Sequence, residues 1–374
     1  MIGGGQLARM THQAAIALGV GFRVLAASRD DSAAQVVADT VIGEHDDRAS
    51  VLAFAEGCDV ITFDHEHVPT SILEELQASG IAVRPSPRAL RFAQDKAAMR
   101  EELSRLGVPV PDFEVVDSAR QASRFADRVG WPIVLKTSRG GYDGRGVWVV
   151  RDRIEVMDVM SHELGPGAVW LAEAFVAFDQ ELAAQVARSP HGQAVSYPVV
   201  RTVQTNGICT EVIAPAPGLS PHESAIAQEL ALRISAGLDV VGMLAVELFH
   251  TAEGVLVNEL AMRPHNSGHW SIDGATTSQF ENHLRAILDL PLGSPEPRSP
   301  HTVMVNVLGG DAPDLYSAYR HVMARQPRLH VHMYGKQVRR GRKQGHVTIG
   351  GTDLQGLLVE AHHAADYITG AIDE

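Results

Sequence analysis

The residues of this chain whose types and spacing could do chemistry begin with a lysine and a strip of glycines. Lys136 ends the apolar run 133–137 and is followed by Gly140-Gly141-Tyr142-Asp143-Gly144-Arg145-Gly146, four glycines in seven residues. Without Cβ atoms such a strip lets backbone amides close around an anion. A lysine just before it supplies a point charge for phosphate oxygens. The plainer reading is a hairpin tip. No G-x-x-x-x-G-K-[ST] occurs, which excludes a P-loop nucleotidase.

Glu247 and Glu259 lie on the two arms of a hairpin, Leu244-Ala-Val-Glu-Leu-Phe249 and Val255-Leu-Val-Asn-Glu-Leu260. With a connecting loop of three or five residues they face each other on one side of the sheet. Like charges so placed cost up to about 1 kcal/mol, and a hard cation between them removes that cost. Mg²⁺ takes one or two carboxylates and completes its shell with water and phosphate oxygens. Asn258 points to the other face of a regular strand, so a role beside Glu259 requires a local distortion. Two solvated glutamates are the alternative, and the apolar neighbours argue against it.

Arg263-Pro-His-Asn-Ser-Gly-His-Trp270 follows at once and brings a cation, an amide and two imidazoles beside that pair. Arg263 can clamp a carboxylate-like or phosphate-like anion. His265 suits proton transfer or hydrogen bonding to it. His265 and His269 are four apart, but Pro264 and Gly268 oppose a helix and no third ligand is near, which speaks against zinc. Glu173-Ala-Phe-Val176 and Glu181 flank an apolar strand end that suits an adenine base and a ribose hydroxyl. Read alone they are a strand edge. His65-Glu66-His67 follows another apolar strand, and ligands bind at such ends in open α/β sheets.

These residues need a scaffold. The first 90 residues alternate a helix at 6–18 with apolar runs at 22–27, 59–63 and 81–83, a parallel-sheet pattern. Only Met1 and Ile2 precede the first glycines, so the opening strand is a stub. The expectation is a start methionine inside a longer reading frame. Residues 88–106 read as one amphipathic helix ended by Gly107 and Pro109. Runs at 133–137, 147–150, 169–175, 180–187, 194–203 and 210–214 form an antiparallel-rich region. A helix at 222–236 follows. Four prolines between residues 290 and 300 mark a boundary. A small strand-rich unit closes with a helix at 354–368.

The bulk numbers narrow the class. At 374 residues there is room for two or three cores. A net charge of −13 disfavours sequence-independent nucleic-acid binding, and no apolar window is long enough for a membrane span. The lone Cys58 and Cys209, with no secretory signal, fit a reducing cytoplasm. Against the acidic background, Lys336, Arg339, Arg340, Arg342 and Lys343 fall within eight residues. Alone, such a run is a solvated loop.

Taken in order, the strip from Lys136, Asn258-Glu259-Leu260, Arg263 to Trp270 and Gly341-Arg342-Lys343-x-Gly-His346 resemble the 5-(carboxyamino)imidazole ribonucleotide synthase family of ATP-grasp carboxylases. The resemblance spans nearly the whole chain. Met262 replaces a usual proline and Val147 a usual polar residue. The resemblance implies a mixed α/β and α+β protein: a Rossmann-like pre-ATP-grasp domain (1–90), an ATP-grasp domain (91–290, with a mobile lid at about 115–178) and a small C-terminal domain (291–374). It implies that Arg91, Lys136, Gly141, Tyr142, Asp143, Gly144, Arg145, Gly146, Glu173, Ala174, Phe175, Val176, Glu181, Asn258 and Glu259 bind ATP. Glu247 and Glu259 would hold Mg²⁺. Arg263 and His265 would hold bicarbonate and, with Asn258 and Lys136, form the catalytic set. Glu66, Tyr142, Arg145, Lys336 and Arg342 would bind 5-aminoimidazole ribonucleotide, which gives the basic run a purpose. A cytoplasmic homodimer in purine biosynthesis, without nucleic-acid or membrane partners, completes the expectation. The rivals are a dinucleotide oxidoreductase, from the loose Gly3-x-Gly5-x-x-Ala8 match with Asp30 or Asp31 beyond it, an ATP-grasp ligase using formate or an amino acid, and an inactive nucleotide-binding regulator.

Overall fold

The computed structural model describes residues 1–140, 146–310 and 314–373. The N-terminal region is a parallel sheet. Arg23–Ala26 pairs with Asp39–Ile42, and Val60–Ile61 with Ala82–Val83. Ile2 bridges the two pairs through Leu25 and Phe63. Two residues thus do the work of a central strand: Ile2 N donates to Thr62 O at 2.8 Å and Gly3 N to Leu25 O at 2.9 Å. Helix Gln6–Leu18 starts immediately and stops at Gly19, whose φ of 64° is the left-handed turn glycine allows.

The single helix expected over 88–106 is two, Pro87–Gln94 and Lys96–Arg105, broken at Asp95. Asp95 has φ −134° and ψ 105°, and its carboxylate accepts from Ala97 N and Ala98 N at 3.1 and 3.2 Å. An aspartate that caps a helix competes with the helix running through it, and here the cap wins. The kink points Lys96 into the cleft described below.

A four-stranded antiparallel sheet follows, in the order Phe113–Val116, Trp170–Ala174, Ile133–Thr137, Val147–Val150. Helices Ala119–Val129 and Arg153–Met160 cover one face, with Phe125, Leu135 and Trp170 in the core between. A nine-stranded sheet forms the body. Its order is Gly254–Ala261, Gly242–Thr251, Gln180–Arg188, Val200–Thr205, Ile208–Ala214, His301–Leu308, Lys343–Gly351, His330–Met333, with Ala194–Ser196 also on Gln180–Arg188. The run expected at 194–203 is therefore two strands, parted where Pro198 removes a donor. The sheet continues past the proline-rich stretch, since Ile208–Ala214 pairs with His301–Leu308. The last strands also own a separate core with the closing helix Leu354–Thr369. No described helix is long and apolar enough to cross a membrane.

Candidate functional site

The two antiparallel sheets, the end of the parallel sheet and the irregular stretch 334–342 enclose one cleft of about 1030 Å³. On the side of the four-stranded sheet, strand Ile133–Thr137 carries Lys136 inward. Lys136 Nζ lies 2.7 Å from Glu173 Oε2 and 3.3 Å from Asn258 Oδ1. Glu173, on the neighbouring strand, also accepts from Arg100 Nε at 2.6 Å. Arg100 is wholly buried and donates onward to the Asn258 carbonyl at 2.7 Å. Burial opposes the charge on Glu173, yet Arg100 and Lys136 hold its carboxyl down at about 2. Burial pulls Lys136 below the ordinary lysine value, against the pull of Glu173. Glu173 therefore spends both oxygens on two cations. It orients Lys136, where the sequence suggested a contact to adenine or ribose.

Glu247 and Glu259 stand directly opposite each other. The route to that register differs from the expected one. Thr251 pairs with Gly254, so the loop has two residues, and that register would set Asn258 against Glu247. A β-bulge between Glu247 and Leu248 shifts the pairing by one and leaves Asn258 as the extra residue. The distortion that Asn258 needed is this bulge. It turns the amide toward Lys136 and brings the two carboxylates together. Glu247 is pushed well above the usual carboxylate range by burial and then by Glu259 and Glu181. Burial also opposes ionisation of Glu259, but Lys96, 2.8 Å away, keeps it charged.

Across the cleft, Arg263 Nε lies 2.8 Å from Glu66 Oε1. His265 is held by Ser267, whose hydroxyl receives Gln185 Nε2 at 3.1 Å and sits 2.9 Å from His265 Nδ1. The Ser267 backbone N–H also donates to Nδ1 at 3.4 Å, which makes Nδ1 the acceptor and leaves the proton of the neutral ring on Nε2, 3.6 Å from Glu247 Oε1. Burial, Arg263 and Lys343 lower the His265 pKa to about 3, so the ring is a neutral donor at neutral pH. Lys336 reaches Gln6 at the start of the first helix. Arg342 closes the rim.

Lys136, Glu173, Ala174, Phe175, Val176, Glu181, Glu247, Asn258, Glu259, Arg263, His265, Glu66, Lys336 and Arg342 all line this one cavity. Arg91 does not. It is exposed on the outer face of its helix, 6.0 Å over the Phe92 ring, and the cation at this wall is Lys96. Gly146 also lies off the wall, its carbonyl accepting from Thr137 N at 3.0 Å. Gly141, Tyr142, Asp143, Gly144 and Arg145 fall outside the described residues. Lys96 and Cys209 share the lining and were not expected there; Asn266, His269 and Lys343, expected nearby but given no individual role, share it too. Asp95 within an otherwise helical run was the available signal for Lys96. His269 Nδ1 is engaged by Gln279 Nε2 at 3.0 Å.

The dinucleotide rival meets an obstacle at the first helix. Asp64 accepts from Gly5 N at 2.5 Å and Ala8 N at 3.0 Å. The protein's own carboxylate thus fills the helix N-terminus where a pyrophosphate would sit. Phe178 and Phe249, stacked 4.8 Å apart, offer an apolar wall beside Glu181 for a flat base.

Known proteins resemble this chain in sequence and in fold. Family models match for a ribonucleotide synthetase preATP-grasp domain at residues 1–94, an ATP-grasp domain at 101–280 and a phosphoribosylaminoimidazole carboxylase C-terminal domain at 302–358. The N5-carboxyaminoimidazole ribonucleotide synthase of Mycobacterium tuberculosis is 53% identical over 373 residues, covering 99% of this chain and 87% of that protein. The enzyme of the same name from Corynebacterium ammoniagenes is 45% identical, covering 99% and 92%. The Thermus thermophilus N5-carboxyaminoimidazole ribonucleotide synthetase superposes with a TM-score of 0.87 at 39% identity, covering 100% and 99%. The Aspergillus clavatus enzyme in complex with ADP and 5-aminoimidazole ribonucleotide gives 0.89 at 33% identity, covering 99% and 98%.

Proposed function

Because this chain belongs to the N5-carboxyaminoimidazole ribonucleotide synthase family of ATP-grasp ligases, we propose that this cleft phosphorylates bicarbonate and delivers the carboxyl group to 5-aminoimidazole ribonucleotide. The chain is an ATP-dependent carbon–nitrogen ligase of purine biosynthesis that makes N5-carboxyaminoimidazole ribonucleotide. One observation supports the residue assignment above all. Lys136, Asn258 and the opposed pair Glu247 and Glu259 meet in the same cavity as Arg263, His265, Lys336 and Arg342.

The donor set fits Mg²⁺. Two in-register carboxylates supply hard oxygens, and the upward push on Glu247 marks a site short of positive charge. When bound, the ion would neutralise charge on the phosphate tail. Lys136, held rigid by Glu173, supplies charge to the transferring phosphoryl group. Arg263 holds bicarbonate by its guanidinium, with Glu66 fixing the plane of that group. A bicarbonate oxygen bonds to the γ-phosphorus, ADP leaves, and carboxyphosphate results. The exocyclic amine of the ribonucleotide bonds to its carboxyl carbon, or to CO₂ released from it, as phosphate departs and the amine loses a proton. His265, neutral with its proton on Nε2, donates a hydrogen bond to the reacting anion. Lys336 and Arg342 hold the ribonucleotide phosphate. Glu181 and the stacked Phe178 and Phe249 take the nucleoside of ATP. The family reading adds a cytoplasmic homodimer, checked by light scattering.

ADP release with bicarbonate, with and without aminoimidazole ribonucleotide, tests the whole. Stoichiometric ADP and carboxylated product are expected. ADP formation on formate instead would favour the other ATP-grasp chemistry, and an NAD(P)H-linked absorbance change would favour the oxidoreductase.

A further inference from the structure

His346 closes the Gly341-Arg342-Lys343-x-Gly-His346 segment and has no part in the reaction above. It is fully buried and paired across strands with His332, their rings stacked 4.7 Å apart at 19°. On the inner side its ring lies 5.2 Å from that of the cleft-lining His269. Its Nδ1 is 2.8 Å from the hydroxyl of the buried Tyr334. On the outer side His332 Nε2 donates to Asp273 Oδ2 at 2.7 Å. The other oxygen of Asp273 is 3.4 Å from His330 Nδ1. One carboxylate thus grips two imidazoles of one strand.

The elements that meet there give the contact its meaning. Asp273 sits in the short helix Ser271–Gly274, directly after the segment that carries Arg263 and His265. His330–Met333 is the outermost strand of the large sheet and pairs on one side only. An edge strand with one hydrogen-bonded side depends on side chains for its placement. Three residues beyond its end stands Lys336, and the irregular stretch runs on to Arg342 and Lys343. The N-terminal region pins the same stretch through Ser32 Oγ to Tyr334 O at 2.6 Å and Gln35 Nε2 to Gly335 O at 2.7 Å.

We propose that Asp273 is a positioning residue for the ribonucleotide. By locking His330 and His332, and through the stacked His346 and its Tyr334 partner, it registers the cations at 336–343 against Arg263 and His265. The two substrates whose carbon and nitrogen must bond are held by these two segments, and a misplacement of about 1 Å between reacting groups can cost about a hundredfold in rate. The inference rests on the assignment of Lys336 and Arg342 to the ribonucleotide.

The test is steady-state kinetics on the full chain, varying ribonucleotide at saturating ATP and bicarbonate, then ATP at saturating ribonucleotide. Asp273→Ala is expected to raise the ribonucleotide KM about tenfold and leave the ATP KM within about twofold. Asp273→Asn, which keeps one acceptor for His332, should raise it less, and it carries the test if the alanine variant does not fold. Asp273→Ala combined with His332→Ala should be no worse than Asp273→Ala alone. Lys336→Ala is run beside them. If it raises the ribonucleotide KM while neither Asp273 variant does, or if those variants raise both KM values alike, the positioning role is overturned and the binding assignment stands. If Lys336→Ala also has no effect, the binding assignment fails, and the positioning role fails with it.

Discussion

Glu173→Gln probes the buried charges under Lys136. In the native protein Arg100, Glu173 and Lys136 are 0%, 2% and 8% exposed, with two cations sharing one carboxylate at 2.6 and 2.7 Å. Holding the Glu173 carboxyl at about 2 rather than 4.5 corresponds to roughly 3 kcal/mol of native-state stability, at about 1.4 kcal/mol per pH unit. Removing one partner of a buried ion pair typically costs about 3–5 kcal/mol, which gives the same scale by a second route. Glutamine keeps the shape and removes the charge, so about 3 kcal/mol should be lost, or roughly 4 °C in Tm for a chain unfolding with about 2.1 cal/mol/K of entropy per residue. Denaturant unfolding followed by tryptophan fluorescence reads this directly, since Trp170 lies on the Glu173 strand. The sign with pH follows from a depressed carboxyl. Its stabilisation is complete above the unfolded carboxylate value of about 4.5 and is lost as pH falls through about 2. The gap between native and variant should therefore be flat from about pH 5 to 8 and close toward about pH 2. ADP formation should fall as well, because Lys136 loses the anion that sustains its charge. A variant as stable as the native protein, with only the ATP KM changed, would refute this reasoning and return Glu173 to the nucleotide pocket.

Three further outcomes are expected. Glu259→Gln should abolish ADP formation while circular dichroism stays near native, the lost pair with Lys96 being offset in part by relief of the repulsion with Glu247; retained turnover would remove the metal assignment. Arg342→Ala should raise the apparent KM for the ribonucleotide far more than for ATP, and equal effects on both would count against a phosphate contact. His362 lies 2.6 Å from Glu211, whose hydrogen bond raises the imidazole pKa, while burial of Glu211 is outweighed by His362 and Arg201 together and its carboxyl is lowered. The raised histidine contributes stability below its unfolded value and loses it as pH rises through its folded value. The lowered carboxyl contributes above its own unfolded value. The Tm deficit of His362→Ala should therefore be largest between about pH 4.5 and 6.5 and shrink in alkali; a deficit independent of pH would contradict the ion pair.

Much of this protein was legible in the chain itself. The helix at 6–18, the edges of the hairpin bearing Glu247 and Glu259, the strand ending in Lys136 and the basic run near Arg342 follow from periodicity, glycine position and charge, which are local properties. Residue types at those places named the chemistry, because phosphate and carboxylate recognition admits few side chains. What only the tertiary structure decided were matters of one residue or one angle. A bulge, rather than the loop length, set Glu259 against Glu247 and turned Asn258 toward Lys136. A capping aspartate broke one helix into two and replaced Arg91 by Lys96 at the cleft. Glu173 became the counter-ion of Lys136 only because Arg100, seventy-three residues earlier in the chain, is buried beside it. Such choices balance burial against pairing between segments distant in sequence, and no local pattern encodes that balance.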